Sequence, residues 1–222
     1  MKKISQNAFT FLEELKENNN REWFHEHKPR YLNIKKDLEL FSQHWLGALQ
    51  KIDTSLQSVD CKPYLFRIYR DARFAKGKPF KTNHGVLIVD GGKPAMHQRA
   101  GYFLNLEAGN CFLVGGAYMP DPEWLKNMRN QIVEDASEIK EILKKSNFKN
   151  NFELKGNQLK TAPRGFTKDH PDLELLRYKS MYAITFFKDH EVLSDAFFEE
   201  LIHRCEILKP FDDYLNKYVK NG

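Results

Sequence analysis

The chain has 222 residues, 41% of them hydrophobic and 29% charged, and carries a formal net charge of +5. That balance excludes a disordered chain, and no apolar run approaches the ~20 residues of a bilayer-spanning helix. Folding at this length buries roughly 72% of the unfolded surface, enough for one sizeable core.

Met1-Lys2-Lys3 has the charge of a secretory leader, but polar Ser5-Gln6-Asn7 follows where an apolar stretch would be needed. Cys61, Cys111 and Cys205 are odd in number and far apart, matching neither a disulfide framework nor a metal-binding pair. Together these point to a cytoplasmic protein with reduced, mostly buried thiols.

Ser5 is placed to cap a first helix reaching about Asn18, with Ala8, Phe11, Leu12 and Leu15 on one side. Asn18-Asn19-Asn20 breaks it, and Asn20 caps a short second helix carrying Trp23 and Phe24. Pro29 suits the first turn of a long helix in which Tyr31, Ile34, Leu38, Phe41, Trp45, Leu49 and Ile52 form an apolar stripe. From about Lys62 the period changes to two, predicting an extended strand through Arg73. Further strands follow at Val86–Val89, Tyr102–Leu106 and Cys111–Val114, with Gly91-Gly92 and Gly109-Asn110 as turns. Gly115-Gly116 marks a bulge or a close backbone approach. Asp121-Pro122 opens a helix to about Ser146, and residues 152–160 suggest a small hairpin around Gly156-Asn157. A short helix near Leu173, a strand Met181–Phe187 and a last helix capped by Ser194, with Pro210 kinking or restarting it, complete the reading. Helices, then strands, then helices argue for an α+β fold in one domain, a mostly antiparallel central sheet flanked by helices at both chain ends.

The charge is concentrated. Residues 66–83 hold six cations (Arg67, Arg70, Arg73, Lys76, Lys78, Lys81) and one acid, Asp71, which leaves 29 of each sign elsewhere. A strand through this stretch puts Arg67, Tyr69, Asp71 and Arg73 on one face, with neighbours ~7 Å apart. Guanidinium forks suit a phosphate or carboxylate, and Asp71 can hold one of them in place. Lys78 and Lys81 extend the positive field, while Phe74 and Phe80 can stack on a base or wall off a site. Arg70 falls on the apolar side, where it needs a carboxylate partner or an edge to reach. The competing structural reading has these arginines bridging helix carboxylates. There is no Walker A loop and no dinucleotide-binding glycine turn.

His84 follows the basic stretch, and His170 lies between Asp169 and Asp172 in a loop; either is a candidate acid or base. His25 and His27 diverge on a helix and cannot share a metal. No zinc-hydrolase or serine-hydrolase motif occurs, and no cofactor is indicated.

FLEELKENNNREWFHEHKPRY (11–31), FRIYRDARFAKGKPFKTN (66–83), GYFLNLEAGNCFLVGGAYMP (101–120) and PRGFTKDHPDLELLRYKSMY (163–182) resemble the conserved hypothetical family known as domain of unknown function 2461. The resemblance implies one α+β domain in a cytoplasmic protein and no established activity. The chain departs from the family pattern after Arg73-Phe74: one residue is deleted, Gly77 stands at a carboxylate position and Phe80 at a phenol. Neither of those two groups can then be an indispensable acid or base. The leading expectation is a small-ligand site for a phosphorylated or carboxylated molecule, built on Arg67, Tyr69, Asp71, Arg73, Lys78 and Lys81 with the Trp23-Phe24 pair nearby. Docking of an acidic protein partner is the alternative, with nucleic-acid binding by the same stretch behind it.

Overall fold

A computed structural model describes residues 2–58, 61–71, 73 and 77–219. Helix α1 (Gln6–Glu17) buries Ala8, Phe9, Phe11, Leu12 and Leu15, although the Ser5 side chain makes no capping bond. The three asparagines after it have separate tasks. Asn18 Nδ2 donates back to the Glu14 carbonyl at 2.9 Å, closing α1. Asn20 Oδ1 accepts from the Trp23 amide at 2.9 Å and caps the next helix. Asn19 grips Phe80 far along the chain.

Helix α2 runs unbroken over Arg21–Leu49 with Pro29 inside it, rather than as two helices divided there. The proline removes one intrahelical N–H. Phe24 lies seven residues before Tyr31, so both sides of the proline supply the same buried stripe on to Leu49. Core packing carries the helix through the defect without a break, and Ile52 falls in the turn beyond it.

Strands β1 (Tyr64–Leu65), β2 (His84–Ile88), β3 (Tyr102–Leu106), β4 (Cys111–Ala117), β5 (Glu153–Lys155) and β6 (Met181–Phe187) form one antiparallel sheet in the order β1-β2-β3-β4-β6-β5. The α+β architecture is therefore as the sequence predicts. The long first strand is not: only Tyr64–Leu65 pairs regularly, and the chain continues as a Phe66 amide bond to the Gly85 carbonyl at 2.9 Å and an isolated Tyr69–Phe80 bridge. Pro79 has no amide to extend a ladder, so it only accepts, from Arg70 N at 2.8 Å.

Beyond the sheet the expected single helix divides into α3 (Pro122–Glu134), α4 (Ser137–Lys144) and α5 (Ser146–Asn151). The break falls at Asp135, whose carboxylate accepts from the Ser137 amide at 2.8 Å and starts α4 afresh. No hairpin forms around Gly156; β5 pairs with β6 instead, and Gly156 (φ +143) passes so near that a Cβ there would lie 1.7 Å from the Ser180 carbonyl oxygen. Short α6 (Leu173–Leu176) and α7 (Asp189–Val192) precede α8 (Phe197–Asn216), which continues through Pro210. Ser194 bonds the Glu191 carbonyl at 2.7 Å rather than capping α8.

One sheet face, with His84, Val86, Ile88, Tyr102, Leu104 and Leu113, is buried in the helical core. Gly115 provides the close approach: a Cβ there would lie 2.5 Å from Leu208 and 2.7 Å from the Asp212 carboxylate, both on α8. Asp212 is fully buried and neither of its carboxylate oxygens has a partner among the described residues. Cys61, Cys111 and Cys205 are free and buried. No helix among the described residues is long and apolar enough to cross a membrane.

Candidate functional site

The opposite sheet face is open. Register sets Tyr64, Leu87, Phe103, Val114 and Ile184 in one row across five strands, with Phe112 and Phe186 in the next. Rings meet along it: Tyr64 and Phe66 are edge-on at 4.8 Å, Phe66 and Phe103 at 5.8 Å, and Phe112 and Phe186 at 5.9 Å between centroids. Phe186 is 57% exposed there, unusual for so large an apolar side chain. A cavity of about 420 Å³ opens on this face, walled by Phe66, Phe103, Phe112, Tyr118 and Tyr182 and floored partly by glycine backbone.

Among the described residues two cations reach the cavity, Lys81 and Arg99. Arg99 is paired with the Asp90 carboxylate at 3.2 Å. Lys81 is half-buried, with its Nζ 5.5 Å from the centre of the Phe66 ring, and it makes no hydrogen bond or ion pair among the described residues. Burial, followed by repulsion from Arg67, Arg70 and Lys93, pushes its pKa below the ordinary lysine value. Nearby, Lys93 donates to the Tyr64 hydroxyl at 2.8 Å, Thr82 donates to Glu107 at 2.8 Å, and Asn83 Nδ2 donates to Asn105 at 2.7 Å.

The remaining members of the basic stretch do not converge on that cavity. Arg67 and Lys78 are exposed. Asp71 clamps Arg73: its Oδ1 accepts from the Arg73 amide and Nε at 3.0 Å each, and its Oδ2 accepts from the guanidinium at 2.7 Å. That side-chain bond holds the Asp71 carboxyl below the usual carboxylate range. Phe74 and Lys76 lie outside the described residues.

Tyr69 and Arg70 turn instead to a second groove, bounded by the first turns of α2 and lined by Arg21, Glu22, Phe24, His25 and Lys28. Among the described residues Arg70 has no carboxylate partner; its Nε donates to the Phe80 carbonyl at 2.7 Å, an edge-reaching solution. Asn19 bonds the same Phe80 through its backbone N–H and carbonyl, at 3.0 and 3.1 Å. Phe80 is buried and stacks on Phe24 at 4.1 Å, so this position serves the core here. Trp23 stacks on His27 at 4.0 Å.

Neither candidate acid or base reaches the sheet-face cavity. His84 faces the helical core beside the Tyr31 ring, its Nε2 has no partner among the described residues, and burial pushes its pKa down to about 4. His170 lines a separate pocket with Asp172, which pairs with Lys140. Its Nδ1 accepts from the Asp172 amide at 3.0 Å, which orients the ring within its own loop. Among the described residues no group of three or more His, Cys, Asp or Glu side chains converges to hold a metal.

A family model described as a conserved hypothetical protein, DUF2461, matches residues 7–214. The chain belongs to this family. A comparison with curated proteins finds no match. In this DUF2461 member the asparagine break and the basic stretch are bound to each other through Asn19 and Phe80, so both segments have a structural task as well as a chemical one. The cavity walls contributed by Phe103, Phe112, Tyr118 and Tyr182 went unrecognised in the sequence as site residues. Their signal was the alternation in each strand, which gives two faces without saying which one the helices leave open.

Proposed function

We propose that the protein binds an anionic small molecule on the open sheet face, its charged group at Lys81 and its apolar body in the cavity. The observation that carries this reading is Lys81 itself, a half-buried ammonium whose charged surroundings are repulsive and whose cavity contains no acid among the described residues. Binding cavities are mostly apolar with a few placed polar groups, and an unmatched desolvated charge there favours a counter-ion. Arg67, Arg73 and Lys78, all exposed, add a steering field, with Arg73 steadied by Asp71. A cytoplasmic location fits three buried thiols that form no disulfide.

Calorimetric titration with a panel of phosphate and carboxylate compounds tests this reading. Wild type should give binding heat that weakens as salt is added, and Lys81→Met should abolish it. Equal heats from both proteins overturn the assignment to Lys81, and no heat from any compound overturns anion binding.

A second reading rests on the α2 groove. Arg21, His25 and Lys28 share one helix face opposite Arg70, with Glu22 the only acid in the lining among the described residues. Such a surface fits an acidic polypeptide. Polyglutamate should bind wild type and not an Arg21→Glu/Lys28→Glu variant; equal binding by both removes this reading, and a preference for single-stranded nucleic acid over polyglutamate replaces it.

A further inference from the structure

We propose, resting on the cavity being an anion site, that its ligand is a flat aromatic monocarboxylate rather than a phosphorylated compound. The argument begins with charge. Among the described residues no aspartate or glutamate lines the cavity, and of the two cations there Arg99 is already answered by Asp90 at 3.2 Å. Lys93 sits over the Tyr64 ring at 4.5 Å with its ammonium on the Tyr64 hydroxyl, and it is not part of the lining. Arg67 is exposed, so water and salt screen it. One desolvated positive charge is left, on Lys81.

A carboxylate matches one charge. A phosphomonoester carries about −1.5 to −2 at neutral pH, and its surplus would enter an apolar cavity with no partner to receive it. Asn83 lines the same cavity; its Nδ2 uses one N–H on Asn105 at 2.7 Å and keeps the other for a ligand oxygen.

The shape argument points to a flat body. Four glycines line the cavity, and packing leaves no room for a Cβ on any of them: it would lie 2.9 Å from the Phe103 ring at Gly85, 2.7 Å from the Ile88 carbonyl oxygen at Gly101, 2.5 Å from Leu208 at Gly115 and 2.6 Å from the Met181 carbonyl oxygen at Gly116. Glycine backbone and aromatic rings line the same cavity, and a planar ring can stack on both. A flexible alkyl chain has no use for either feature and would lose rotamer freedom on entry.

Three probes separate head group from body: 2-naphthoate, 2-naphthyl phosphate and decanoate, titrated into wild type, Lys81→Met and Lys81→Arg with circular dichroism confirming the fold of each. The expected result is 2-naphthoate binding tighter than either other probe by about tenfold, the preference lost in Lys81→Met and largely kept in Lys81→Arg. Equal or tighter binding of the naphthyl phosphate overturns the monocarboxylate while leaving the anion site standing. Tighter decanoate overturns the planar body. No binding by any probe, or binding indifferent to Lys81→Met, overturns both this ligand class and the anion site.

Discussion

Asp212→Asn should change how stability depends on pH, and the change follows from where the carboxyl sits. Asp212 on α8 is buried against Gly115 of β4, with neither oxygen partnered among the described residues. Burial first, then the carboxylates of Asp53 and Asp213, push its pKa well above the ordinary value, against a smaller opposing pull from Lys209. Tyr102 on β3 does not relieve it, because its hydroxyl donates to Asp53 at 3.0 Å. The folded protein therefore holds a proton that the unfolded chain releases near pH 3.9. Where the native state binds one more proton, unfolding free energy falls by about 1.4 kcal/mol per pH unit as pH rises, until the folded carboxyl itself titrates. The contribution is whole below the unfolded pKa and is lost on the alkaline side. The asparagine variant has the shape of the protonated acid without the proton. Its buried amide adds an offset of about 1–3 kcal/mol that does not vary with pH. Urea unfolding followed by far-UV circular dichroism, from about pH 5 upward, should show the variant gaining about 1.4 kcal/mol on wild type per pH unit. Parallel stability curves would refute the reasoning, since they would mean Asp212 is already ionised in the folded state.

Gly115→Ala forces a methyl to within 2.5 Å of Leu208, and such overpacking should cost about 1–3 kcal/mol, read as a lower Tm; an unchanged Tm would remove the claim that α8 needs a glycine there. His84 should stay neutral through the physiological range, titrating near pH 4 by NMR of its ring carbons, so that its contribution to stability is present above about pH 6.5 and is lost as pH falls through that window; a midpoint near the free-histidine value would contradict its burial. Asn19→Ala removes both side-chain bonds to Phe80 and should cost about 1–3 kcal/mol in urea unfolding, with a neutral result showing that the Phe24–Phe80 stack holds the segment alone.

Local chemistry was legible where one segment decided the outcome. The Asn20 cap, the Met181–Phe187 strand and the bounds of α1 follow from residues within a few positions. Pro29 misled because its local cost is outweighed by a buried stripe running from Phe24 to Leu49, which only the packed core reveals. Pro79 acted the other way, ending a pattern of alternation that looked long enough for a strand through Arg73. The basic stretch was visible as charge, but not its division: Lys81 at the cavity, Tyr69 and Arg70 at the α2 groove, Arg73 on Asp71. Sorting them depends on which way each side chain leaves an irregular backbone. The aromatic walls depend on pairing β4 with β6, distant in sequence, and no periodicity within either strand contains that information.

The central claim is that an anion binds the open sheet face at Lys81. Backbone amide shifts of the labelled protein, followed while 2-naphthoate is added, test it directly. The largest changes should fall at Lys81, Gly85 and Gly116, with Arg21 and Lys28 unmoved. Changes centred on Arg21, His25 and Lys28, or none on either surface, would contradict it.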